Sequence, residues 1–200
     1  MRLILPALLT LSACASGAVS ITEFPVAGST YPDGISAGPD GNLWFTQAAA
    51  VSRMTPSGSV TSFTPTTVPS GVNRPVATHR GSDGNIWASE RGTLNRMVKV
   101  TPSGSFTEYP VTTTASDPYG LTLGPDNNIW FCERAASKIG VITPAGTITE
   151  YALPTGAAPV SITVGPDGAL WFTESGLHKI GRITTTGAST DFPAGASSSP

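Results

Sequence analysis

The chain is short of charge. Of its 200 residues, 12% are Asp, Glu, Lys or Arg, and the formal net charge is -2. A nucleic-acid binder needs a clustered positive face, which this balance does not supply. Cysteine is nearly absent: Cys14 and Cys132 stand alone, and two cysteines, one of them in or beside a leader, give no disulfide framework. Histidine is as scarce. His79 and His178 lack the spacing of a metal site, and no Ser-His-Asp grouping can be built on either. No segment of useful length has a helical period. The apolar run at residues 3–11 is too short to cross a bilayer.

Glycine and proline are plentiful, at 22 and 18, and with Asp and Asn they punctuate short apolar runs, the pattern of an all-β chain. One ten-residue box is written four times: GPDGNLWFTQ at 38–47, GSDGNIWASE at 81–90, GPDNNIWFCE at 124–133 and GPDGALWFTE at 165–174. All the tryptophans, Trp44, Trp87, Trp130 and Trp171, hold the same place in it. A period near 42 residues means one supersecondary unit stacked repeatedly. Each unit opens at a proline (Pro32, Pro75, Pro118, Pro159). A short apolar strand follows, then an Asp-Gly or Asn-Asn turn that tolerates positive φ, then the Trp strand. A third strand and an alternating fourth complete the unit. Four antiparallel strands in about 42 residues is a β-propeller blade, which relies on its neighbours to bury both faces. The expected fold is therefore an all-β propeller of about four blades over residues 21–200, with the tryptophans filling the space between blades.

Residues 1–15 read as a signal peptide. Arg2 supplies the charge and Ala13-Cys14-Ala15 an A-x-A cleavage site. Leu11-Ser12-Ala13-Cys14 also fits a lipobox, which would leave Cys14 acylated on a membrane. Both routes export the protein, secreted or lipid-anchored in the envelope. At the edges, Ile21-Thr22-Glu23-Phe24 is already a fourth-strand sequence, and the chain stops at Pro200, where a fifth blade would open. Either a fragment or a truncated product is expected, with a closed four-bladed ring as the alternative.

Within a blade, the first strand runs away from one end and the second returns to it. The residues flanking each opening proline therefore meet the last residue of the Trp strand. That upper end gathers Tyr31, Asp33 and Gln47 from the first blade, Arg74, Val76 and Glu90 from the second, Asp117, Tyr119 and Glu133 from the third, and Ala158, Val160 and Glu174 from the fourth. Glu90, Glu133 and Glu174, with Asp117, form an oxygen-rich platform of the kind Mg²⁺ or Ca²⁺ takes. The alternative is that these glutamates close strand ends and pair with backbone or with a nearby Lys or Arg. Cys132 fills a slot held by Thr46, Ser89 and Thr173 in the other blades, so it reads as a buried structural thiol.

The combination of P-x-G-I, G-P-D-G-x-L-W-F-T-E, K-I-G-R-I-T and I-T-E-F-P at this period resembles the virginiamycin B (streptogramin B) lyase family over residues 21–200. The resemblance implies a seven-bladed ring and an enzyme that opens a cyclic depsipeptide ester by elimination, with a histidine as base and a Mg²⁺ held by two glutamates. The family motif reads Glu-Pro-His, with the Trp-strand glutamate as second ligand. No blade here has it whole. The third comes nearest, with Asp117, Glu133 and an Asp-Pro-Tyr-Gly that resembles a substrate-lining segment. The resemblance thus implies Tyr119 as a contact for a small cyclic peptide or other small molecule, and Tyr31, at the same end of the first blade, is the second candidate. It leaves the general base missing from these 200 residues, so no catalytic residue is assigned. The alternatives are a non-catalytic exported propeller that binds a glycan, peptide or envelope protein, and a metal-dependent lactonase.

Overall fold

The computed structural model describes residues 22–26, 31–65 and 74–195. The leader at 1–15, the lipobox cysteine and the last five residues lie outside them. The described residues contain strands and turns and no helix, and no helix is long and apolar enough to cross a membrane.

Among the described residues, sixteen strands form four sheets, each antiparallel and in sequence order. The first blade is β1 (Ile35–Ala37), β2 (Leu43–Gln47), β3 (Ala50–Met54) and β4 (Val60–Phe63). The second is β5 (Pro75–Arg80), β6 (Ile86–Glu90), β7 (Arg96–Val100) and β8 (Phe106–Pro110). The third is β9 (Pro118–Leu123), β10 (Ile129–Glu133), β11 (Lys138–Ile142) and β12 (Ile148–Ala152). The fourth is β13 (Pro159–Val164), β14 (Leu170–Glu174), β15 (Lys179–Ile183) and β16 (Ser189–Pro193). The four-strand unit expected from the sequence is the unit observed.

The repeated box is a hairpin corner. In the first blade, Gly41 takes φ 75° and the Gly38 N–H donates to the Asn42 carbonyl at 2.8 Å. A turn ending in one left-handed residue in this way suits the twist of the flanking strands. The turn aspartate then binds its own tryptophan. The Trp44, Trp130 and Trp171 indole N–H groups donate to Asp40, Asp126 and Asp167 at 3.0, 3.0 and 2.9 Å, and Trp87 to Asp83 at 3.3 Å. A buried indole N–H without an acceptor is costly, so the Asp-to-Trp spacing of four residues is a requirement of the corner. Each tryptophan also stacks on the aromatic of the fourth strand (Phe63, Tyr109, Tyr151, Phe192), with ring centroids 5.4–5.7 Å apart. Phe63, Tyr109 and Tyr151 lie over Gly104, Gly146 and Gly187 of the next blade. A Cβ at Gly104 would fall 2.1 Å from the Phe63 ring, so only glycine fits.

The core lies between blades, as the sequence led one to expect. Trp44 and Val51 of the first blade pack on Ile86, Ala88 and Val98 of the second. Trp87 and Met97 pack on Leu121, Ile129 and Phe131 of the third, and Trp130 and Ile139 on Ile162, Leu170 and Phe172 of the fourth. Hydrogen bonds cross the same seams. Thr46 Oγ1 donates to the Val76 carbonyl at 3.1 Å and Ser89 Oγ to the Tyr119 carbonyl at 2.5 Å. Cys132 occupies the matching slot, fully buried. Burial, and next the charge of Glu133, push its thiol well up, which makes it inert.

Candidate functional site

The upper end is set by a register shift common to three blades. Pro75, Pro118 and Pro159 lie opposite Glu90, Glu133 and Glu174, and each first strand carries one extra residue just beyond its proline. Such a bulge bends a strand and re-aims side chains where pairing begins. In the third blade it spans Tyr119. The residues before three of the prolines, Tyr31, Asp117 and Ala158, take φ of 65°, 58° and 46°. This is a left-handed conformation that L-residues rarely adopt.

The three Trp-strand glutamates are buried, at 1% exposure or less, and each lies opposite a cation on the third strand of its own blade, though only Glu90 is bonded to it. Glu90 lies opposite Arg96 on the third strand, and Arg96 binds both Glu90 and Glu108 of the fourth strand at 2.5 Å. Glu133 lies opposite Lys138, which binds Glu150 at 2.8 Å, and Glu174 lies opposite Lys179, which binds Asp191 at 3.3 Å. The first blade makes the second blade's connection without charge: Gln47 Nε2 donates to Ser52 and Ser62 at 2.6 and 2.9 Å.

Burial raises the Glu90 carboxyl, and Arg96 works against it. Glu133 is pushed up to about 7, first by burial and then by the Glu150 charge. Ser116 and then Lys138 work against the rise, but the Ser116 hydroxyl is bonded to Asn95 Oδ1, and neither Glu133 oxygen has a hydrogen-bond partner among the described residues. Glu174 is raised by burial and then by Asp191, and its oxygens are likewise without partners. Burial also pushes on Glu150, but Lys138 and Thr113 outweigh it and hold that carboxyl below its ordinary value.

Asp117 has different company. Its Oδ1 accepts from Arg91 Nε at 3.1 Å, and its Oδ2 from Arg134 Nε at 2.8 Å and Nη2 at 2.6 Å. The same two guanidinium groups lie 5.5 and 5.0 Å from the centre of the Tyr119 ring, within range of a cation–π attraction. The second and third blades therefore meet at the upper end in one cluster of Arg91, Asp117, Arg134 and Tyr119. Neither arginine stood out in the sequence. Each directly follows a Trp-strand glutamate, and that placement was the available signal. Arg74 and Asp33 make a second cross-blade ion pair at 3.4 Å. Tyr31, at the same end, is 77% exposed.

The described residues contain no group of three or more His, Cys, Asp and Glu able to hold a metal ion. Both oxygens of Asp117 face guanidinium groups, and a divalent cation there would meet two like charges. Glu90 is committed to Arg96. The upper end of these blades therefore does not fit the Mg²⁺ site that the resemblance implies, although Glu133 keeps a carboxylate without partners. The histidines sit apart. His79 lies opposite Trp87, with Nδ1 2.8 Å from the Arg80 carbonyl. His178 is an exposed loop residue at φ 54° whose carbonyl accepts from the Ala194 N–H.

The profile of the Virginiamycin B lyase family matches residues 19–200. A solved streptogramin B lyase is 40% identical, with a TM-score of 0.78 over 86% of this chain and 58% of its own. Selenomethionine-substituted virginiamycin B lyase from Staphylococcus aureus is 40% identical, with a TM-score of 0.74 over 80% of this chain and 54% of its own. A catalytically inactive histidine-to-alanine variant of the Staphylococcus aureus enzyme, solved with quinupristin, is 38% identical, with a TM-score of 0.77 over 84% and 57%. This chain thus spans a little over half the length of those lyases. No curated protein matches the sequence.

Proposed function

Because the chain belongs to the virginiamycin B lyase family, we propose that its four blades form a ligand-holding upper face of the streptogramin lyase type that lacks the proton-removing group. The observation that carries this reading is the upper end of the third blade. There the family's Glu-Pro-His is Asp117-Pro118-Tyr119, the acid is held by Arg91 and Arg134, and an aromatic ring replaces the base. Elimination α to an ester carbonyl needs a base within hydrogen-bond reach of that proton. A tyrosine ring and paired guanidinium groups instead bind and orient. In this reading Tyr119 offers a face to an apolar or cyclic-peptide ligand, the arginines hold its polar edge, and Tyr31 adds an exposed aromatic at the same end. Export, soluble or through a lipid on Cys14, belongs to the same proposal and would meet such ligands outside the cell.

The named relatives supply the probe. Purified protein is incubated with quinupristin, with and without Mg²⁺, and followed by tryptophan and tyrosine fluorescence and by chromatography with mass detection. Saturable quenching with no ring-opened product is expected. Mg²⁺-dependent opening without a mass change would make the chain a lyase and overturn the reading, and a product heavier by one water would make it a hydrolase.

A further inference from the structure

Around Asp117 the charges do not cancel. Two guanidinium groups meet one carboxylate, so the cluster carries an excess of one positive charge, and the nearby Arg74–Asp33 pair is neutral. Donors are also left over. Arg91 spends only Nε on Asp117, and Arg134 spends Nε and Nη2. Arg91 Nη1 and Nη2 and Arg134 Nη1 donate to no described residue. These side chains are 26% and 37% exposed, so the spare donors are within reach of a solute. Both guanidinium groups are already fixed, by Asp117 on one side and the Tyr119 ring on the other, and a fixed planar fork binds a carboxylate in two-point fashion at low entropic cost. Beside Arg134 lies a groove of about 530 Å³, between the loop at 134–137 and the segment at 152–158, and among the described residues Arg134 is the only charged one lining it. Its other walls include Ala136, Ala152 and Leu153, so an apolar body fits there with its charge at the arginine end.

We infer that Arg91 and Arg134 form an anion-recognition site for a small molecule that carries a carboxylate on an apolar body, with the carboxylate on the spare guanidinium donors and the body along the groove beside Arg134. The inference rests on the upper face being a ligand face and names the class of ligand it takes. The positive charge comes from side chains, so binding needs no metal.

The test uses N-acetylphenylalanine and its neutral amide, titrated into the metal-free protein at low salt with NMR or calorimetric readout. The acid is expected to bind saturably and at least about tenfold more tightly than the amide, because a charged bidentate pair adds that much discrimination. Affinity should fall as salt is raised. Arg134→Gln and Arg91→Gln should each lose about tenfold, and Arg134→Lys should not restore it, since an ammonium lacks the fork. Because these variants also unpair Asp117, Asp117→Asn is the decisive partner. It removes the internal competitor and should tighten the acid while leaving the amide unchanged. Equal binding of acid and amide, or weaker acid binding in Asp117→Asn, overturns the inference. If the acid fails while quinupristin still quenches fluorescence, the anion site falls and the ligand-face reading stands. If both fail, both fall.

Discussion

The carboxyl of Glu133 is buried, and its oxygens are bonded to no described residue. Its pKa of about 7 against an ordinary 4.5 means that the folded protein keeps a proton that the unfolded chain releases between those values. Folding stability therefore falls as pH rises through that window and levels off above it. Glu90 and Glu174, also raised by burial, act in the same direction. Urea melts at intervals from pH 4.5 to 8 should show this decline, and Glu133→Gln should flatten a large part of it. An unchanged profile in that variant would mean that Glu133 is ionised throughout. The sequence placed this glutamate at the end of the Trp strand but gave no sign of its isolation. Whether it pairs depends on where Lys138 reaches, and that lysine turns to Glu150, two strands away from the strand of Glu133. By contrast, the Asp-to-Trp bond is entirely local, a four-residue spacing inside one hairpin, and could be read directly.

At the scale of the strand, the second blade bonds acid, cation and acid in a row, the third and fourth bond the cation only to the fourth-strand acid, and the first uses a neutral substitute, so the row is a variable element on a constant frame. Breaking a buried pair from one side strands the remaining charges, at a cost of about 3–5 kcal/mol. Arg96→Met, which leaves Glu90 and Glu108 without their shared guanidinium, should destabilise the protein by about that amount in chemical denaturation. Copying the first blade's solution into the second, with Arg96→Ala, Glu90→Gln, Val98→Ser and Glu108→Ser together, should recover most of it. Equal loss in both variants would show that the row's packing matters more than its charge. Strand order and hairpins were legible from periodicity and turn residues alone. The bulge after each proline was not, because one inserted residue between Pro118 and Leu121 leaves the alternation of the short strand nearly unchanged. The Arg91–Asp117–Arg134 cluster was hidden for another reason. It joins loop residues 17 and 26 positions apart, and although the arginine recurs after the Trp-strand glutamate in the second and third blades, the aspartate it meets stands before the opening proline only in the third.

Across the whole molecule, the blades at the two ends differ from those between neighbours. Ile35 on the first blade is 61% exposed and lines an apolar recess of about 330 Å³ with Phe24, Phe45 and Met54. Leu121, at the same place in the third blade, is 7% exposed and packs against the second. One substitution at equivalent positions should therefore give two outcomes. Ile35→Lys should change stability by no more than about 0.5 kcal/mol. Leu121→Lys, which buries a charge in a seam, should cost on the order of 3 kcal/mol or more. A comparable cost at Ile35, read from parallel thermal and urea melts, would show that its face is covered in solution.

The pairing of each turn aspartate with its indole fixes the turn end of every blade in the same way, whereas the position before the opening proline carries no side-chain bond common to the blades. The first position of the Trp box is glycine in every blade, whereas the residue before the opening proline is in turn Tyr31, Arg74, Asp117 and Ala158. Selection can thus re-letter one margin of the wheel while the opposite margin keeps its spelling. A lineage built this way can trade one chemistry for another, or give up catalysis altogether, and still fold.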